Sequence, residues 1–555
     1  MPAQSLLLAP ALLALAALVT WGLGLARVRV GRELGSSAAW LGLAAVIATW
    51  VAAGRAPVEL SPGVPAGIRL DLRLDAVAFA FCLFILVPLA LQFTFQPRNW
   101  QECGVAALAA SAALVAVLSS SLVLTALGLG TAASLVMAQL RQEHPRASEA
   151  YWAALMGAWL LLLWAGATLE AVSGTSGYGA VPVGSLQAPV FLLLAAACVL
   201  CSGLLPWRTW VGEVWERPRL QAGTLALAIL VPLGFYLLVR AYAIGAGHWP
   251  NPALNVALAA LGTLTALAAG IRGQAAITRR GYLAEVLPLS GGLSLFALSL
   301  GTPLGVAAAV TGLAAGALVT GLLPLLPDGP RADAWLGLAV VAGLPPGLLF
   351  AARLMGLEAG FEVGALPALL AIAAAAAWLL GFAGAARAIR LPSLGPGAEP
   401  GGSGPGTLLA AVAGLAGGAL LGFLQVYLAI PAAAEVVSFP ASAVGGGALS
   451  VLAAPGSWPA VTLATPLLVI LVIVAALTRP AWTEPNQEPE RSPAPLFRVP
   501  WSTYRERVWA RLAQVRLPDD YRSLLDPALL ERAAGRPRPW LWAAIVAVLA
   551  FVVTR

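Results

Sequence analysis

The chain has 555 residues, of which 60% are hydrophobic and only 10% charged. An ordinary soluble domain is roughly 45–50% apolar and about 25% charged, and a soluble chain this long would need charge to coat several domain surfaces. Soluble globular, disordered and nucleic-acid-binding readings are excluded, which leaves a polytopic membrane protein.

A bilayer core takes about 20 apolar residues per helix, and about 16 stretches qualify. They lie near 6–25, 38–53, 74–93, 104–118, 120–140, 151–172, 188–205 and 222–243, then 252–271, 282–300, 302–326, 334–355, 363–387, 406–430, 459–478 and 539–554. Two pairs nearly touch, and their breaks at Ser119-Ser120-Ser121 and Gly301-Thr302-Pro303 suit tight turns. The first run spans rather than serving as a cleaved leader, because no small-residue cleavage site follows it. Cys82, Cys103, Cys198 and Cys201 read as small buried hydrophobes. His144 and His248 cannot build a metal or haem centre between them, so no cofactor is expected.

The net charge of +7 comes from 32 basic and 25 acidic residues, and every basic residue is Arg, since the sequence holds no lysine. Arg keeps its proton in proteins whereas Lys can release it, so a lysine-based proton relay is absent. Arginine also sets topology. Arg27, Arg29 and Arg32 follow span one, and Arg141 and Arg146 follow span five. Arg208, Arg217 and Arg219 follow span seven; Arg272, Arg279 and Arg280 follow span nine; Arg387 and Arg390 end span thirteen. The intervening loops are nearly bare, except after span two, where Arg55, Arg69 and Arg73 mix with Glu59, Asp71 and Asp75. Odd-numbered loops are therefore expected in the cytoplasm, with both termini outside a cell inner membrane.

Two segments do not span. Residues 393–406 form a Gly/Pro-rich flexible loop. Residues 479–538 are polar and cytoplasmic. Within them Trp501–Leu517 places Val508, Leu512 and Val515 on one helical side and Arg505, Arg507, Arg511 and Arg516 on the other, the pattern of a helix on a membrane surface or a partner. Glu213 and Glu216, among Arg208, Arg217 and Arg219, read as a docking cluster.

Several stretches, in collinear order, resemble one family. Val341–Arg353 (VAGLPPGLLFAAR) resembles the AGLPP segment of the antiporter-like membrane subunits of respiratory complex I, group 4 membrane hydrogenases and multisubunit cation/proton antiporters. Pro206–Pro218 (PWRTWVGEVWERP) is similar to that family's segment after its seventh helix, and Arg69–Phe79 (RLDLRLDAVAF) to its lead into helix three. Arg279-Arg280 looks like its basic pair before helix ten. The resemblance implies an all-α membrane fold with two inverted five-helix repeats, here 104–243 and 252–390, flanked by helices at 1–103, 407–478 and 539–555. Each repeat would hold a broken helix at the membrane midplane, and Pro206, Pro345 and Pro346 mark the breaks.

The resemblance also implies a chain of ionisable groups across the membrane centre, and most of its positions are occupied otherwise. The glutamate of helix five falls at Leu129 and the lysine of helix seven at Cys201. The two basic positions of helix eight fall at Ala226 and Pro232. The lysine of helix eleven falls at Thr320 and its histidine partner at Gly316. Only the helix-twelve position keeps a charge, as Arg353. Proton transfer needs groups whose pKa crosses the working pH, and these side chains do not supply them.

Ion-path candidates are then Arg353, Glu285 and Asp75. Arg353 is either a fixed countercharge or a structural Arg reaching the interface. Glu285 is either a half-channel carboxylate or a local partner of Arg279 and Arg280. Asp75 reads as a structural partner of Arg73. Glu170, Glu358 and Glu435 are the other acids in or near spans. The expected function is a membrane-arm subunit of a complex I-like assembly, with a degenerate proton relay and no catalytic chemistry of its own. Its partners would be other membrane subunits and a peripheral redox module. Alternatives are a subunit of a cation/proton antiporter, the membrane half of an inorganic-carbon uptake pair with one large soluble partner, and an independent secondary carrier.

Overall fold

The structure, a computed structural model, describes residues 4–25, 31–61, 71–96, 100–143, 147–178, 181, 186–205, 211, 221–245, 250–326, 332–345, 347–389, 391, 404–437, 450–453, 456–459, 470 and 473. Helix α1 (Leu8–Leu25) and α2 (Gly31–Ala52) lead into a hairpin of β1 (Val58–Leu60) and β2 (Leu72–Leu74). Then come α3 (Ala76–Phe95), α4 (Trp100–Leu118), α5 (Leu122–Glu143), α6 (Ala147–Ser173), α7 (Ala188–Ser202) and α8 (Gln221–Ile244). After them lie α9 (Pro252–Ala275), α10 (Arg279–Ser299), α11 (Pro303–Leu322), α12 (Ala332–Ala342), α13 (Leu348–Val363) and α14 (Ala365–Ala388). Helix α15 (Gly404–Ala419) meets α16 (Leu421–Ala434) at an 82° bend, and a hairpin of β3 (Ser450–Ala453) and β4 (Gly456–Pro459) follows.

Among the described residues 11 helices are long and apolar enough to cross a membrane, or up to 12 if the bent pair counts as one span. Each of the first fourteen expected spans has a helix or a helix pair at its position. The last two fall outside the described residues, apart from Pro459, Ile470 and Ile473, as do the 479–538 segment and the chain's C-terminal end. Local chemistry explains where helices start and stop. Asp75, Asn251, Thr278 and Thr302 each accept a backbone N–H of the first turn of α3, α9, α10 and α11, satisfying donors that no helical carbonyl reaches. Gly203 and Gly301 take φ of 63° and 67° at the ends of α7 and α10, the left-handed ending that glycine adopts without strain.

Three expectations change. Helix α2 begins at Gly31 rather than 38, so Arg32 lies in its first turn and donates to the Thr94 carbonyl instead of sitting in a loop. Helix α15 begins at Gly404, inside the segment read as a loop over 393–406, which otherwise lies outside the described residues. Between α2 and α3 the chain forms a hairpin with Glu59 opposite Arg73 and an Nη1–Oε1 distance of 3.4 Å. Cross-strand opposite charges stabilise such a pair modestly.

Helices α3, α8 and α10 are buried almost throughout, whereas α1, α2 and α14 turn leucines such as Leu15, Leu18, Leu41, Leu366 and Leu369 outward. In a bilayer those side chains meet lipid tails. Lipid is as apolar as the helices, so close packing carries much of helix association, and small residues allow it. Helix α9 shows this on both sides. A Cβ on Gly262 would lie 2.6 Å from the Gly292 oxygen of α10, and one on Gly270 would lie 2.6 Å from the Ala377 oxygen of α14. The backbones are in van der Waals contact, so α9 is held between α10 and α14.

Candidate functional site

The site is built on the break between α12 and α13. Helix α12 stops at Ala342 because Gly343 turns left-handed, with φ 71°. The Ala342 carbonyl thereby loses its helical partner. In a membrane such a group must be satisfied internally, and two side chains do so: Nη1 of Arg353 donates to it at 2.6 Å and Nε1 of Trp378 at 3.0 Å. Arg353 comes from α13 and is 5% exposed; Trp378 comes from α14 and is 1% exposed. Position 343 must be glycine for a second reason, since a Cβ there would stand 2.6 Å from Arg353 Nη1. The guanidinium also lies over the Trp378 ring, 5.6 Å from its centroid.

Arg353 and Trp378 line a cavity of about 20 Å³, together with Ser290, Ser294 and Gly312. A second cavity, of about 30 Å³, shares Ser290, Ser294 and Gly312 and continues to Pro232, Gly316 and Thr320. Three of the positions where the family relay was expected are thus brought around one cavity, with Arg353 on the adjoining one. Each volume suffices for a water or two. The polar side chains of the lining are hydroxyls, one guanidinium and the indole N–H of Trp378. Thr320 spends its hydroxyl on the Gly316 carbonyl at 2.7 Å, and its own carbonyl lies 3.4 Å from the donating Nε2 of Gln92. Leu129, Cys201 and Ala226 are fully buried but line neither cavity. Cys201 packs where α7 meets Gly234 of α8, whose Cβ would lie 2.9 Å from the Cys201 Cβ.

A second ionic centre sits at one end of the helices. Asp75 accepts from Arg240 twice, with Oδ2–Nη1 at 2.8 Å and Oδ1–Nη2 at 2.7 Å. Arg240 Nε donates to Tyr236 Oη at 2.9 Å, and Tyr236 donates to the Val117 carbonyl at 2.7 Å. The Tyr178 and Tyr236 rings flank the guanidinium, their centroids 5.0 and 5.1 Å away. Glu435 closes the group. Its carboxylate accepts from the Ala76 and Val77 amides at 2.8 and 3.3 Å and lies 3.9 Å from Arg240 Nη1. Two carboxylates therefore serve the N-terminus of α3, where the helix dipole favours them. Burial opposes the Asp75 charge, yet Arg240 and the Ala78 amide hold its carboxyl below the ordinary value. Burial, then the neighbouring Asp75 charge, push Glu435 above its own.

The turn at Ser119–Ser121 completes this end. Ser120 donates through N and Oγ to the Asp71 carbonyl at 3.0 and 2.8 Å, and the Tyr178 amide donates to Ser120 O at 2.8 Å. The loops after α2, α4 and α6, the end of α8 and the end of α16 all meet here.

Of the sequence-derived candidates, Asp75 pairs chiefly with Arg240, and Arg73 Nε is second at 3.3 Å. Glu285 sits in the second turn of α10, half-buried, and lines neither cavity. Pro345 lies in the α12–α13 break. Pro206, Pro346, Arg208, Glu213, Arg217, Arg219, Arg505 and Arg511 fall outside the described residues. The roles of Arg240, Tyr236 and Tyr178 were not read from the sequence. Apart from the Arg240–Tyr236 bond, four residues apart, their partners lie far along the chain, and the available signal was an Arg three residues from the polar end of an apolar run. Among the described residues no group of three His, Cys, Asp or Glu converges on a metal site.

No protein-family model and no curated relative matches the sequence. Solved structures do. A chain of the Mrp complex from Dietzia sp. DQ12-45-1b superposes with TM-score 0.69 at 20% identity over 100% of this chain and 62% of that one. This chain thus spans about 62% of that chain's length. A chain of the membrane-bound sulfane sulfur reductase, an archaeal respiratory membrane complex, superposes with TM-score 0.69 at 19% identity over 99% of this chain and 100% of that one. A chain of respiratory complex I from Thermus thermophilus does so with TM-score 0.65 at 20% identity over 80% of this chain and 100% of that one. Likeness at this identity establishes architecture, and the chain is a multi-pass membrane protein with the fold of the matched chains in those membrane complexes.

Proposed function

We propose that the chain is a membrane-arm subunit of a complex I-like assembly whose central proton relay has given way to side chains that do not titrate. It would act as a scaffold or as a modified ion path. One observation carries this reading: the fold of these subunits is present over nearly the whole chain, while Pro232, Gly316 and Thr320 surround the cavity at which ionisable groups were expected. Proton transfer needs groups that change charge at the working pH. Arg353 does not release its proton usefully.

The natural partners of such a subunit are other membrane-arm subunits and a peripheral redox module, with the Arg-bearing odd loops on the cytoplasmic side of an inner membrane. Arg208, Glu213, Arg217 and Arg219, with Arg505 and Arg511, are the proposed docking residues. The Mrp likeness over 100% of this chain favours a second reading, a subunit of a multisubunit cation/proton antiporter. Tagging the C-terminus, extracting gently from the native membrane and identifying what co-purifies separates the two. Redox subunits with further antiporter-like subunits support the first reading. Antiporter subunits without redox partners support the second. A single large soluble partner points to an uptake pair, and purification alone points to an independent carrier and contradicts both.

A further inference from the structure

We propose that the cavity beside Arg353 is a binding site for a small monovalent anion of halide size. The inference is independent of which assembly the chain serves.

The first observation is an uncompensated charge. Arg353 is 5% exposed and makes no ion pair among the described residues. Its Nη1 is used on the Ala342 carbonyl, while Nε and Nη2 have no hydrogen-bond partner among the described residues. The carbonyl end of α12 supplies roughly half a negative charge, and the Trp378 face adds a weaker attraction. Together they leave the guanidinium short of a full counter-charge, and intramembrane charges are found paired or at functional sites.

The second observation concerns the groups around the cavity. A guanidinium has donors and no acceptor. Ser290 Oγ, on the same cavity wall, is buried and also without a partner among the described residues. Trp378 Nε1 donates to Ala342. The site therefore offers N–H and O–H groups to its occupant, and none of these charged or orphaned groups is an acid. A cation is disfavoured there and an anion favoured.

Size selects among anions. About 20 Å³ holds a water-sized body, which admits a monatomic anion and rejects phosphate esters and organic acids. The walls shared with the second cavity, Ser290, Ser294 and Gly312, place the site against the region where the relay was expected. An anion held there would fix positive and negative charge side by side without any proton changing hands.

Bromide is the probe. The full-length protein is purified in detergent in sodium gluconate, then titrated with sodium bromide at constant ionic strength while the unfolding midpoint is followed. The proposal expects a saturable rise in the midpoint. Arg353→Met should abolish that rise, and Ser290→Ala should raise the half-saturating bromide concentration about tenfold. In crystals grown with bromide, an anomalous peak should lie within hydrogen-bonding distance of Arg353 Nε or Nη2. The Ser290 variant and the crystal keep the test decisive if Arg353→Met does not fold. A midpoint indifferent to bromide overturns the proposal, since water then satisfies these donors. So does a rise unchanged by Ser290→Ala with the bromide peak elsewhere.

Discussion

Asp75 and Arg240 face each other as a two-pronged pair with N···O distances of 2.7 and 2.8 Å, both residues almost wholly buried. Removing one member of such a pair strands the other's charge, which costs about 3–5 kcal/mol, whereas replacing both with apolar side chains is often near neutral. Arg240→Met should therefore destabilise the protein by about that amount. The double variant Arg240→Met with Asp75→Leu should recover much of the loss, as read from thermal unfolding in detergent. Equal loss in the single and double variants would show that the pair contributes through something other than charge. Asp75 stood out in the sequence as an acid at the start of a span. Its principal partner did not, because Arg240 lies 165 residues away and the nearer Arg73 offered a local alternative.

At the scale of elements, two devices decide the architecture: breaks that open the helices and glycines that let them touch. Gly343 combines a left-handed φ of 71° with the guanidinium of Arg353 in the space a Cβ would need. Gly343→Ala should then destabilise the protein by about 1–3 kcal/mol, through backbone strain and the displaced Arg353–Ala342 hydrogen bond. Unfolding midpoints of the variant and the wild type check this. Gly292→Leu should be more severe, because its Cβ would lie 2.6 Å from a backbone oxygen that cannot retreat. It should disrupt the α9–α10 contact enough to abolish a monodisperse peak on size exclusion. The α12–α13 break was legible because Pro345 announces it, whereas the α15–α16 bend fell inside what reads as one apolar run. The α9 contacts were not legible, since glycine is common throughout the chain and nothing in composition marks which glycine meets a backbone. The early start of α2 was missed because Arg32 and Glu33 dilute its first turn, although a terminal turn at the membrane surface tolerates both.

For the whole molecule, an abundance of apolar runs made the membrane class and nearly every described span readable. What the pattern did not disclose is the interior. Positions that looked like isolated replacements, Pro232, Gly316 and Thr320, turn out to line a single cavity that adjoins Arg353. The fold shared with the matched membrane-complex chains is thus kept around a centre of hydroxyls and one fixed charge. The most direct test places the purified chain in proteoliposomes and measures proton flux under an imposed pH gradient. The account predicts flux equal to that of protein-free vesicles, and unchanged by Glu285→Gln. A robust flux abolished by Glu285→Gln or by Arg353→Met would contradict it.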